Sequence, residues 1–462
     1  MIGRLVIALA ALQARALAQS CPSLTANYPS PSVADGFDAR LIVQDLTKPR
    51  GMVFDHEGNL LVVESGKGIT AMSLSYGDGS CVSVQEKKTI VSDTSLNHGI
   101  ELSSDGNTLY ASNSDMVFSF DYDAGSMTNT SSGKAIVTGM ASDDLVTRTL
   151  LIPRSADDKL LVSRGGDDNM DFGTVDLDSG RSQIRIFDLG GDDAVDYLEG
   201  EVLGWGLRNS VGVGENPRDG GIWSVENSVD DIERDGESIH ADNPAEELNY
   251  HGILSDDDDD NAYLGANYGF PLCYAAWDVS EIPGGDGLSV GDQFAIGEEN
   301  ATVNDPFCAQ DRQAPRLVFT AHTAPLDIKF DSQGDNAYIS FHGSWNSPDP
   351  VGYRLSVVPF GPSGQPTAPS TSTTAARPIL SNEDLDSCPD DCFRPAGLAW
   401  DNAGRLYMTS DSTGEIYVLV RADGAPVDAN RESGAGAAVG GRRSAWAVAV
   451  VAGAAGVAAW FM

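Results

Sequence analysis

Basic side chains are scarce in this sequence, with 29 Lys and Arg against 68 Asp and Glu in 462 residues, so the places where they recur are informative. Arg50, Arg148, Arg208 and Arg394, together with Asn209, are of the types that grip planar anions. A guanidinium fork donates two parallel hydrogen bonds to a carboxylate, each charged contact worth about 1.5–3 kcal/mol. Three of the six histidines, His98, His322 and His342, stand at comparable positions, and imidazole is the commonest general base. With Trp345 beside them, these residues describe a site for an anionic ligand with a proton acceptor at hand. Each arginine taken alone has a simpler reading, as the partner of a neighbouring carboxylate such as Glu64, Glu226 or Asp411. It is their convergence that points to a ligand.

What must position them is a repeat. An apolar stretch, a polar turn with Asp and Gly, and four or five mostly apolar residues recur at Phe54–Val63, Leu102–Ala111, Glu215–Val225, Phe330–Ile339 and Trp400–Met408, with an irregular copy at Ile152–Val162. Each reads as a β-hairpin, because Asp and Gly supply the turn and the flanks favour strands. Isolated hairpins bury too little surface to be stable, so six in series must pack on one another. The expected fold is all-β: a six-bladed β-propeller of four-stranded blades. Phe37 to Leu46 supplies the outer strand that closes the ring, and Gly361 to Arg377 reads as a surface loop. The long gap between the fourth and fifth copies shows no further turn signature and reads as loop-rich, including Asn267 to Cys273.

In every hairpin the turn lies at one end, so residues before the first strand and after the second share the other. Blade by blade these are Arg50 and Glu64; His98 and Asn113; Arg148 and Arg164; Arg208 and Asn209 with Glu226 and Asn227; His322 with His342 and Trp345; Arg394 and Asp411. In a propeller those ends surround the channel mouth, where ligands sit.

The remaining features concern the compartment. Residues 1–18 read as a secretory signal, with Arg4 before an apolar run and Ala16-Leu17-Ala18 at the cleavage site. Residues 431–462 read as a GPI-anchor signal: small residues from Ser433, the expected attachment site, then Arg442-Arg443 and an apolar tail. Residues 19–430 are left for the propeller. The only membrane association expected is through that anchor. Six cysteines in an exported chain suggest three disulfides. Cys388 and Cys392 can staple one short loop, and Cys21 with Cys81 and Cys273 with Cys308 are the simplest of the remaining pairings. Asn129 and Asn300 head glycosylation motifs. The net charge of −39 argues against nucleic acid as a partner. The run Asp256 to Asp260 lacks the spacing of a calcium loop and reads as a solvated acidic loop.

Seven segments together resemble the fungal pyrroloquinoline quinone-dependent pyranose dehydrogenases, of the glucose/sorbosone dehydrogenase propellers. They are Pro49–Asp55, Asn97–Leu102, Thr147–Leu150, Gly206–Asn209, Trp223–Asn227, Phe341–Asn346 and Phe393–Gly397. The resemblance covers about Phe37 to Val420, and the shared order of the segments makes it specific. It implies a cofactor with three carboxylates and an ortho-quinone, held with a calcium ion over the channel. It implies that Arg208, Asn209 and Arg394 grip that cofactor, with Arg50, Arg148 and Trp345 as further contacts. It also implies calcium ligands after Glu226, partly the backbone oxygens of Ser228 and Val229. The expected reaction is oxidation of a sugar at its anomeric carbon to a lactone, with electrons passing to an external acceptor, since the sequence offers no region for a haem or carbohydrate-binding domain.

One departure matters. The resemblance implies a general-base histidine three residues before Arg148, and Leu145 stands there. Losing a positioned base costs about 10²–10⁴-fold in rate. His98, His322 and His342 are the candidate substitutes, with Asp144 as a further one. The rival reading is a catalytically silent propeller that binds a sugar or wall component at the cell surface.

Overall fold

Residues 21–191, 193–254, 261–296 and 302–431 are described by the computed structural model. The expected signal peptide, Ser433 and the apolar tail, Asn300 and the acidic run lie outside them.

The repeat is realised as six blades of four antiparallel strands in a ring, with short extra strands added at the edges of blades 2, 3 and 5. Blade 1 consists of Pro49–Phe54, Leu60–Glu64, Gly68–Tyr76 and Val82–Val91, from the channel outward. The turn chemistry is visible atom by atom. Asp55 Oδ1 accepts from the backbone N–H of Glu57 at 3.0 Å and of Asn59 at 2.8 Å, and Gly58 takes φ +83°. Asp401 repeats this in blade 6, accepting from Ala403 and Arg405, and Asp331 does so in blade 5 from Asp335. The carboxylate satisfies turn donors that no strand partner can reach.

Strands buried on both faces explain the nearly unbroken apolar runs. In Leu60–Glu64, Leu60 and Val62 pack toward blade 6 against Tyr407 and Val418. Leu61 and Val63 pack toward blade 2 against Leu109 and Phe120. Period-two alternation therefore feeds two interfaces at once. The ring closes as expected: Phe37–Val43 pairs antiparallel with Glu415–Arg421 and completes blade 6. The three disulfides join Cys21 to Cys81, Cys273 to Cys308 and Cys388 to Cys392, the pairing that the spacing favoured.

The gap between the fourth and fifth repeats holds the outer strands of blade 4, Glu246–Ile253 and Leu317–Phe319, with a long insertion between them. That insertion carries a small hairpin, Cys273–Ala275 with Gln293–Ala295, and the helix Asp305–Asp311. No helix among the described residues is long and apolar enough to cross a membrane.

Around the channel, neighbouring blades approach very closely. A Cβ on Gly51 would lie 2.4 Å from His98 O, one on Gly99 2.2 Å from Arg148 O, and one on Gly397 2.3 Å from Arg50 O. Hydroxyls on second strands then clamp the next blade's first strand. Ser112 Oγ donates to Arg148 O at 2.6 Å, Ser340 Oγ to Ala396 O at 2.6 Å and Thr409 Oγ1 to Arg50 O at 2.9 Å. These contacts fix the strand starts that carry the mouth residues.

Candidate functional site

The non-turn ends of the six hairpins meet at one mouth, as a chain of contacts shows. Arg50 reaches from blade 1 to Asp411 of blade 6 at 2.5 Å and to His98 Nδ1 of blade 2 at 3.2 Å. His342 of blade 5 bonds the other oxygen of Asp411 at 2.8 Å. Arg394 Nε donates to His342 O at 3.2 Å. Asn227 Nδ2 spans from blade 4 to Pro325 O at 2.6 Å.

Above this ring lies a cavity of about 450 Å³, whose walls include Arg208, Asn209, Ser228, Asp230, His322, His342, Trp345 and Arg394. The arginines divide sharply. Arg208 donates to Asn169 O and Asn169 Oδ1, both at 3.0 Å, and to Asn227 O at 3.2 Å. Arg394 donates to Gly343 O at 2.8 Å besides His342 O. Every one of these partners is a carbonyl or amide oxygen, not a carboxylate. Neither guanidinium hydrogen-bonds a carboxylate, and both have unused N–H groups at a largely buried wall, which is the donor set an anion with several carboxylates requires. Burial pushes the Arg394 pKa down, so an arriving anion would relieve a desolvated cation.

Arg148 and Arg50 do not share that role. Arg148 is fully buried and donates to the carbonyls of Leu145, Thr147 and Met140 at 2.6–2.8 Å, so it shapes the Leu145 loop from behind. Arg50 is spent on Asp411 and His98. Neither belongs to the wall of this cavity. Trp345 stands at the rim, 71% exposed, with its indole open to whatever enters.

Hydrogen bonding likewise separates the histidines. His98 accepts from Arg50 at Nδ1, is 4% exposed and lies outside the cavity wall, so its lone pair is already taken. His322 faces two pure acceptors, Asp230 Oδ1 at 3.2 Å and His240 O at 2.5 Å. Both ring nitrogens must then carry protons, and an imidazolium cannot act as a base. Burial opposes that charge, but Asp230 and the His240 carbonyl outweigh it and raise the His322 pKa. His342 is the exception. Its Nε2–H donates to Asp411, leaving Nδ1 as the lone-pair nitrogen of a neutral ring. Burial lowers the His342 pKa despite Asp411, so the ring stays neutral and able to accept a proton. Although burial resists it, His342 and Arg50 hold Asp411 well below the usual carboxylate range.

Leu145 lines the same cavity and brings no titratable group to it. Ser228, Asp230, Asp231 and Asn227, with oxygens of the kind a hard cation takes, also line the cavity. Val229 buries its side chain with Ile232, Phe270 and Phe294, which anchors the backbone whose oxygen is the expected ligand. Asn129 lies away from this site, in a short strand beside the outer strands of blade 2.

Two residues escaped the sequence reading. Asn169 clamps Arg208, and its Oδ1 also accepts from Asp230 N at 2.9 Å. Asp230 fixes His322. Both follow the second strand of their hairpins within a few residues, so extending the same positional rule further along those loops would have found them.

The sequence matches a family model described as TrAA12-like over residues 31–422. It is 48% identical over 411 residues to a pyrroloquinoline quinone-dependent sugar dehydrogenase of Hypocrea jecorina (strain QM6a), covering 87% of this chain and 92% of that one. It is 38% identical over 424 residues to a pyrroloquinoline quinone-dependent pyranose dehydrogenase of Coprinopsis cinerea, spanning 88% of this chain but only 56% of that protein. Among solved structures, the calcium structure of a Trichoderma reesei protein of carbohydrate-active enzyme family AA12 superposes with a TM-score of 0.83 at 49% identity, covering 86% of this chain and 98% of that one. The holo form of the Coprinopsis cinerea pyranose dehydrogenase PQQ domain superposes with a TM-score of 0.80 at 37% identity, covering 86% and 99%.

Proposed function

The chain belongs to the TrAA12-like family, and from that premise we propose that it is a pyrroloquinoline quinone-dependent sugar dehydrogenase that oxidises the anomeric carbon of a pyranose to a lactone. The observation that carries this reading is the pair Arg208 and Arg394, two cations at one cavity whose partners include no carboxylate. They and Asn209 would hold the cofactor's carboxylates, and Ser228 and Asp230 would supply oxygens to its calcium ion. When bound, the quinone with its calcium ion is the hydride acceptor.

His342 does the proton chemistry. Nδ1 takes the proton of the anomeric hydroxyl, and ionised Asp411 stabilises the imidazolium that results. Arg50, on the second Asp411 oxygen, keeps that carboxylate ionised and aimed. His342 thereby replaces the base that Leu145 cannot provide. The exposed face of Trp345 borders the opening through which a sugar ring enters. Two electrons per turnover leave for an external acceptor.

We further propose that the protein is extracellular, a setting in which three disulfides persist. The propeller of residues 19–430 is then tethered through a GPI anchor at Ser433. Release of the protein from intact cells by a phosphatidylinositol-specific phospholipase tests the anchor.

Titration with pyrroloquinoline quinone, with and without calcium and followed by absorbance, tests the main reading. Saturable calcium-dependent binding with sugar-driven reduction of a dye is expected. Binding without turnover would favour the silent propeller, and no binding would overturn the quinoprotein reading.

A further inference from the structure

Large apolar side chains are almost all buried in this propeller, and the exceptions are concentrated. Among the described residues, four of the eight exposed ones fall in two consecutive single-turn 3₁₀ helices and the next such turn: Phe172 at 56%, Val175 at 50%, Leu177 at 37% and Leu198 at 47% exposure. They form one surface. Gly180 N donates to Leu177 O, and a Cβ on Gly180 would lie 2.8 Å from Leu198 Cδ2, so the second and third turns touch. The first two turns pack on each other.

This surface is held rigidly. Asp171 caps the first turn through Gly173 N at 3.0 Å, and Arg181 grips Asp171 with two bonds, at 2.5 and 2.8 Å. Gln183, 1% exposed, donates to Leu177 O at 2.8 Å; Arg185, 4% exposed, donates to Leu198 O at 2.7 Å. Buried polar side chains thus fix a backbone that displays apolar side chains to water, an arrangement typical of interaction sites.

Its charge is one-sided. Asp167, Asp168, Asp176, Asp178, Asp196 and Glu199 are exposed around it, while the two basic residues between positions 165 and 200, Arg181 and Arg185, are already engaged. Asn169, in the same loop, lines the cavity and clamps Arg208. An apolar, acid-rimmed platform therefore begins, at Phe172, three residues from Asn169 in the wall of the candidate reaction site.

We infer that this platform docks the electron acceptor, and that the acceptor is a basic one-electron carrier protein whose redox group opens on an apolar surface ringed by lysines. The inference rests on the dehydrogenase reading. Oxidation of one hemiacetal to its lactone releases two electrons and two protons; two carriers dock in succession, each leaves with one electron, and the protons pass to water. The acidic rim steers the carrier and the apolar centre holds it.

The test compares two acceptors for the cofactor-loaded enzyme: a lysine-rich single-haem cytochrome c and a small neutral dye. Phe172→Ser with Leu198→Ser should lower kcat/KM for the cytochrome roughly tenfold and leave dye reduction within about twofold. Asp176→Asn with Asp178→Asn should give a shallower salt dependence for the cytochrome alone. Cytochrome reduction unaffected by both variants, or falling in step with dye reduction, would overturn the docking surface. A dimer in sedimentation that Phe172→Ser dissolves, with cytochrome reduction unchanged, would assign the surface to a second copy instead. Failure of sugar to reduce even the dye would overturn the dehydrogenase reading itself, and this inference with it.

Discussion

His342 Nε2 lies 2.8 Å from one oxygen of Asp411, and Arg50 Nη1 lies 2.5 Å from the other. One carboxylate therefore joins blades 5, 6 and 1 at the channel mouth and fixes the His342 tautomer. His342→Asn should lower kcat by about 10²–10⁴-fold while leaving cofactor affinity within a few-fold. Asp411→Asn should lower it less, because the ring remains but its orientation is no longer enforced. Leu145→His should leave turnover within about threefold, since a base is already in place; a large gain would return the role to that position. Because burial lowers the His342 pKa, kcat/KM should fall only as pH drops below the ordinary imidazole value of about 6.5. A pH–rate profile of the wild type and the three variants checks all four statements.

The two kinds of arginine predict two kinds of failure. Arg208→Gln and Arg394→Gln each remove a charged contact of about 1.5–3 kcal/mol, so cofactor binding should weaken roughly 10–150-fold. Thermal unfolding should shift little in either. Arg148→Met should do the reverse, lowering the melting temperature by unpairing three buried carbonyls and leaving cofactor affinity nearly unchanged. Equilibrium titration beside a melting curve separates the two classes.

That division marks the limit of what was legible beforehand. Turn residues such as Asp55-His-Glu-Gly58 revealed six hairpins, because Asp and Gly at fixed offsets have one local use. From the hairpins came the blades, and from the hairpin ends came the mouth. Which way each mouth side chain turns is a matter of tertiary partners, and no local pattern encodes it. Arg148 and Arg208 hold equivalent places in their blades, yet one is absorbed by carbonyls of its own loop and the other faces the cavity. His322 and His342 differ for the same reason, through acceptors supplied by Asp230 and His240 on the loop that follows Gly221–Glu226 in blade 4.

Buried acidic groups around the cavity predict a stability that depends on pH. Burial pushes Glu246 and Glu247 up to about 7 and, with Glu247 as neighbour, pushes Glu226 up as well. Burial opposes the rise of His322, but Asp230 and the His240 carbonyl prevail. Each of these groups binds protons more tightly folded than unfolded, where a glutamate titrates near about 4.3. Their contribution is complete below the unfolded values and is lost as pH rises through the folded ones. Burial lowers His98, His251 and His342, which act in the opposite sense below about pH 6.5, so the melting temperature should decline chiefly between about pH 6.5 and pH 7.5. Asp411 and Asp171, held low by their partners, act in the opposite sense, but only in acid below about pH 4. Glu247→Gln should flatten the decline, which calorimetry across this range would reveal; an unchanged slope would place the proton uptake elsewhere.

Close packing at the channel carries the last prediction. Gly51 takes no unusual φ, so Ala is excluded there by space alone: its Cβ would sit 2.4 Å from His98 O and 3.2 Å from Ile100 Cγ2. Backbone atoms cannot yield as a flexible side chain can. Gly51→Ala should therefore part blades 1 and 2 and cost about 1–3 kcal/mol of stability. Gly287→Ala, where nothing lies within 4 Å and φ is ordinary, should change stability by less than about 0.5 kcal/mol. Parting those blades also draws His98 Nδ1 from Arg50 Nε, now 3.2 Å apart, and loosens the grip of Arg50 on Asp411. Gly51→Ala should accordingly lose turnover as well as stability, although the glycine touches nothing in the cavity. Denaturant titration and initial rates on the same preparations would test this link, and lost stability with full activity would show that the Arg50–Asp411–His342 chain does not depend on the spacing of the blades.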